Sequence, residues 1–119
     1  MQKDITRGLV VMLTAALFPC LALAGGNVDK GKALYAQQCA SCHGSGGKGD
    51  GPAAAALQPK PRNLTDKAYM AALTDQHLTD GIKKGGAGIG KSPLMPPFGA
   101  SLKDGDIQDV VAYLRSLEK

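Results

Sequence analysis

Residues Cys39 to Gly44 read CASCHG, two cysteines three positions apart with a histidine directly behind the second. Four arrangements use such a triplet: a structural disulfide, a redox-active dithiol, a zinc site and a covalent porphyrin attachment. Each asks for a different scaffold, so the choice among them decides the fold.

A bridge between Cys39 and Cys42 would close a loop too small to reduce the entropy of the unfolded chain by much. A redox dithiol of the C-x-x-C kind belongs at a helix start in a βαβ setting, and no alternating strand pattern of useful length occurs in this chain. Zinc could draw on Cys39, Cys42, His43 and His77, yet adjacent ligands at 42 and 43 are awkward for a tetrahedron and the usual second pair is missing. On a helical turn, positions i and i+3 share a face. Cys39 and Cys42 could then add as thioethers to two vinyl groups on one porphyrin edge, with His43 reaching the iron. The C-x-x-C-H signature is that of a c-type haem attachment. Haem fits best, with zinc and the redox dithiol as the remaining alternatives.

The chain of 119 residues holds one small domain. Lys3 and Arg7 precede an apolar run from Leu9 to Leu23, which closes on Ala22-Leu23-Ala24 before Gly25 and Gly26. That is the pattern of a secretory signal peptide, so residues 1–24 are expected to be cleaved and residues 25–119 to form the domain. The run is shorter than the about 20 residues a membrane span needs, and Pro19 before Cys20 does not suit lipidation. Without residues 1–24, which hold Lys3, Arg7 and Asp4, the basic and acidic counts of 14 and 10 fall to 12 and 9, a net charge of +3. This is compatible with an acidic docking partner and far from the clustered basic face of a nucleic-acid binder. The domain has no Trp and a single Phe, Phe98, among 15 Gly and 6 Pro, so its own side chains promise a thin core. A large apolar disc would supply the missing burial.

Outward from the motif, Asn27 is expected to cap a helix over 28–38. The stretch 44–62, GSGGKGDGPAAAALQPKPR, reads as loop with at most one short turn at 53–57. Thr65 is expected to cap a segment 66–73, and Thr74 another over 75–84 that Gly85-Gly86 ends. Ile107, Val110, Val111, Leu114 and Leu117 follow the spacing of one helical face, with Asp104 as the expected cap. The fold class is all-α, with long loops and no repeats.

An iron held by His43 has a sixth position to fill. Met70 falls within an expected helix, where a methionine is mostly core filling. Met95, in SPLMPPFG, stands in a loop stiffened by Pro93, Pro96 and Pro97, which lowers the entropy lost on fixing its sulfur. Met95 is therefore the expected distal ligand, and His77 reads as a surface or cavity-margin residue.

Three separated motifs, GKALYAQQCASCHG, GDGP and MPPFGASLKDGDIQDVVAYLRSL, resemble those of the class I cytochromes c over nearly all of 31–117. The resemblance implies a small cytochrome c fold, with N- and C-terminal helices crossing and short helices and long loops wrapped around one haem. It implies thioether bonds at Cys39 and Cys42 to one haem c, with His43 as the proximal metal ligand and Met95 as the distal one. Pro52, in GDGP, would accept a hydrogen bond from the proximal histidine through its carbonyl, and Arg62 would pair with a haem propionate. Gly31 and Tyr35 would meet Val110 and Tyr113 where the terminal helices cross.

Those implications add up to a monomeric periplasmic electron carrier that cycles ferrous and ferric iron and is not an enzyme. Its partners would be membrane or periplasmic oxidoreductases, with no nucleic acid, small-molecule substrate or stable membrane insertion. Lys48, Lys83, Lys84 and Lys91 are candidates for a positive docking rim. The rival readings are a small-ligand sensor or peroxidase-like enzyme with a labile Met95, and a fixed subunit of a larger redox complex.

Overall fold

Helix α1 (Val28–Gln38) starts where the Asn27 side chain accepts a hydrogen bond from the Lys30 N–H at 3.0 Å, in a computed structural model that describes residues 25–119. The expected signal peptide lies outside the described residues. Four more helices follow: α2 (Ala40–His43), α3 (Lys67–Ala71), α4 (Asp75–Lys84) and α5 (Asp104–Ser116), with short 3-10 turns at Ala54–Ala56 and Ala87–Ile89. The described residues contain no strand, and the all-helical class expected from the pattern is what forms.

Helices α1 and α5 pack backbone to backbone. A Cβ on Gly31 would overlap the carbonyl oxygen of Asp109 and come within 3.0 Å of the Tyr113 Cβ, so only glycine permits this approach. Beside it the rings of Tyr35 and Tyr113 meet with centroids 5.1 Å apart and planes tilted by 59°, a favourable edge-on geometry. The Tyr35 hydroxyl donates to the Gly44 carbonyl at 2.6 Å, and burial raises its pKa, so it stays a protonated donor.

Of the α5 face forecast from spacing, Ile107, Val110, Val111 and Leu114 are buried and join Tyr35, Leu64, Met70, Leu78, Ile82, Leu102 and Tyr113 in one cluster, while Leu117 lies just past the helix end and is partly buried against it. The end of α5 is fixed by Arg115. Its guanidinium donates to the carbonyls of Met70 at 2.8 Å and Leu73 at 2.6 Å and to the carboxylates of Asp75 at 2.8 Å and Glu118 at 2.9 Å. Hydrogen bonds to a charged group contribute roughly 1.5 to 3 kcal/mol each where water is held off, so one side chain ties α5 to the end of α3 and the start of α4.

Two caps differ from expectation. Asp66, not Thr65, caps α3, accepting from the Tyr69 N–H at 3.1 Å. Thr65 is captured instead by Asn63, whose side-chain oxygen accepts from both its N–H and its hydroxyl, and the helix is accordingly shorter than 66–73. At α5 the cap residue is Lys103, whose N–H donates to Asp106 at 3.0 Å. Asp104 is free to pair with Lys83 at 2.8 Å, which links the start of α5 to the end of α4.

Candidate functional site

Cys39 to His43 form one rigid unit because every carbonyl of α2 is satisfied from outside the helix. The N–H groups of Gly44, Ala53, Gly51 and Gly49 donate to the carbonyls of Ala40, Ser41, Cys42 and His43 at 2.9, 2.9, 3.2 and 2.8 Å. So short a helix would otherwise fray, since its last four carbonyls lack intrahelical partners. The glycines of GKGDGP serve this closure: Gly49 sits at φ +78°, and a Cβ on Gly51 would overlap the carbonyls of Ala40 and Ser41. The loop is therefore a clamp on the motif helix.

That helix forms part of a cavity of about 510 Å³. Cys39, Cys42 and His43 line it, together with Leu57 and Pro59 from the middle loop, Tyr69 and Leu73 near α3, Leu78 and Ile82 from α4, Met95 and Phe98 after α4, and Val110 and Leu114 from α5. Met95 is half-buried there, while Met70 is 0% exposed in the core and contributes nothing to the lining. The expected ligands Cys39, Cys42, His43 and Met95 are thus gathered on one space. His77, on α4, also lines it and is half-buried.

The two thiols are unbridged. Burial, with Cys42 as a lesser cause, pushes the Cys39 thiol up to about 11. A redox dithiol needs the opposite, a stabilised thiolate. Among the described residues no three His, Cys, Asp or Glu side chains gather as a metal site. Burial lowers the pKa of His43 and so favours the neutral imidazole, the form that can donate to a metal. Its Nδ1 is buried without a hydrogen-bond partner, a state that native structures seldom leave unexplained. A half-buried imidazole with an unpartnered Nδ1, two thiols and a methionine on one largely apolar cavity fit a covalently held haem.

Pro52 is exposed and stands between Gly51 and Ala53, two of the four donors that close α2. The structure thus brings it to the motif helix and forms no bond between it and Nδ1. Arg62 is exposed, lines the cavity and lies over the Tyr69 ring, 4.2 Å from its centroid. Tyr69 was not singled out from sequence, although its place seven residues after Arg62 in a short helix was legible. No Asp or Glu lines the cavity, whereas Lys60, Arg62 and Lys91 do. Two of the lysines expected on a docking rim are instead paired within the chain, Lys83 with Asp104 at 2.8 Å and Lys84 with Asp80 at 3.1 Å. No helix among the described residues is long and apolar enough to cross a membrane.

Residues 28–118 match the family model described as Cytochrome c. The chain is 34% identical over 95 residues to cytochrome c-554(547) of Halothiobacillus neapolitanus, covering 78% of this chain and 99% of that one. It is 31% identical over 93 residues to the FixP subunit of a cbb3-type cytochrome c oxidase from Bradyrhizobium diazoefficiens, covering 78% of this chain and only 28% of that subunit. Among solved structures it resembles the KustC0563 c-type cytochrome with a TM-score of 0.62 and 26% identity, over 75% of this chain and 98% of that one.

Proposed function

The chain belongs to the cytochrome c family, and on that premise we propose that it is a periplasmic carrier whose single haem c is ligated by His43 and Met95. Electron carriage, covalent haem c and redox partners come with the family. The observation that supports the finer reading is the convergence of Cys39, Cys42, His43 and Met95 on one cavity of about 510 Å³.

Bound there, the haem supplies one-electron chemistry between ferrous and ferric iron. The residues of this chain do the rest. Cys39 and Cys42 would anchor it, and His43 and Met95 would both bind its iron, leaving no place there for a substrate. A methionine donor and the apolar walls raise the reduction potential. The family resemblance gives Pro52 the carbonyl that would accept from the His43 Nδ1 and orient the ring, a bond this structure does not form. Arg62 meets a propionate at the cavity edge. Residues 1–24 direct export and are removed after Ala24. The partners are membrane or periplasmic oxidoreductases, met briefly by a monomer through a small, wet interface. Lys48 and Lys91 carry the docking charge that Lys83 and Lys84 do not.

With both axial positions filled, the reduced protein at neutral pH is expected not to bind carbon monoxide over minutes. Prompt binding, seen as a shift of the main absorption band, would instead support a sensor or peroxidase-like enzyme with a labile Met95. The FixP relative favours one other reading, a fixed subunit of a larger complex. That reading predicts that the protein leaves cells bound to its complex rather than alone.

A further inference from the structure

We infer that Gly85 and Gly86, at the end of α4, are positioning residues for the Met95 donor, and that this clamp sets how firmly the sixth position of the iron is closed. The inference rests on the ligation proposed above. The last carbonyls of a helix need partners from elsewhere, and α4 takes two of them from the segment after Met95. The Ile82 carbonyl accepts from the Phe98 N–H at 2.9 Å, and the Lys83 carbonyl from the Gly99 N–H at 3.0 Å. A third bond acts on the ligand residue itself, because the Gly86 N–H donates to the Met95 carbonyl at 3.0 Å. The Gly86 carbonyl in turn accepts from the Lys91 N–H at 2.7 Å, so Gly86 is tied to both ends of the intervening loop.

The neighbours of Met95 cannot do this work. Pro93, Pro96 and Pro97 have no N–H to donate, and the Met95 N–H reaches only the Ser92 carbonyl, at 3.4 Å. The two glycines also have no room for a side chain. A Cβ on Gly86 would overlap the Ser92 carbonyl oxygen, and one on Gly85, at φ +76°, would stand 2.9 Å from both the Met95 carbonyl oxygen and the Pro97 nitrogen. A side chain on Gly85 must displace the Met95–Pro97 backbone, and one on Gly86 must displace Ser92, whose carbonyl accepts from the Met95 N–H, and with it the Gly86 bond to the Met95 carbonyl. Helix α4 carries Leu78 and Ile82 in the wall of the same cavity, so the displacement moves the sulfur relative to the site.

The test is Gly86→Ala in the haem-loaded protein, read by two signals that general destabilisation does not move. The variant is expected to weaken the far-red sulfur-to-iron band of the ferric form and to bind carbon monoxide about tenfold more tightly when reduced, since apparent affinity scales with the fraction of open sites. Arg115→Ala serves as the destabilised control: it should melt at lower temperature and keep the band. A Gly86→Ala protein with an undiminished band and parental carbon monoxide behaviour overturns the inference. If that variant yields no coloured protein, Gly99→Ala, whose Cβ would stand 2.9 Å from the Lys83 carbonyl oxygen, decides by the same two signals. Failure of the ligation reading looks different, because the band would then persist in Met95→Ala.

Discussion

A Cys39→Ala, Cys42→Ala double variant, exported by a host competent in haem attachment, is expected to yield no coloured protein and no cooperatively folded one. Colour is lost because both anchoring thiols are gone. Folding is lost because the cavity of about 510 Å³, largely apolar in its lining, then stands exposed to water, and each Å² of apolar surface left unburied forfeits about 25 cal/mol. The whole stability of a small domain is only about 5 to 15 kcal/mol, and this one has a single Phe and no Trp in 25–119 to close over the space. Visible absorbance, circular dichroism and thermal melting of the secreted material check this. A colourless variant that stays helical and melts sharply would mean that the side chains alone make the core.

Met95→Ala is expected to keep the haem, lose the far-red band and lower the reduction potential by on the order of 0.1 to 0.3 V, a share of the roughly 0.8 V over which axial ligands tune haem. The direction follows from the donor: a methionine sulfur raises the potential, and water in its place withdraws that effect. The reduced variant should bind carbon monoxide readily. Met70 is fully buried away from the cavity and cannot take over, so Met70→Leu should leave band and potential unchanged. A redox titration with the spectrum recorded alongside separates the two methionines, and a Met95→Ala protein with unaltered potential and band would move the assignment elsewhere.

The parts of the molecule legible in its sequence are those written in local signals. Asn27 and Thr74 cap α1 and α4, and the apolar spacing from Ile107 to Leu114 marks the buried face of α5. Gly31 was readable as the site of close approach through the resemblance to the family, and the Asp109 carbonyl is what it approaches. Choices between neighbouring polar groups were not readable. Thr65 could cap α3 until Asn63 engaged its hydroxyl, and Asp104 could cap α5 until Lys83 stood opposite it, 21 residues away. The same long-range pairing removes Lys83 and Lys84 from the expected docking charge. The stiffness of the Met95 loop was legible in its prolines, but the loop is also held by hydrogen bonds to α4 and Gly86. Gly85-Gly86 reads in sequence as a helix terminator, and its bond to the Met95 carbonyl exists only once the loop folds back on α4.

Intact-mass spectrometry of the purified exported protein, after extraction with acidified organic solvent, tests the central claim most directly. The account predicts a single species with the mass of residues 25–119 plus one haem, because two thioether bonds survive solvent that strips a merely ligated haem. A polypeptide of bare mass, with the pigment in the organic phase or absent altogether, would contradict it.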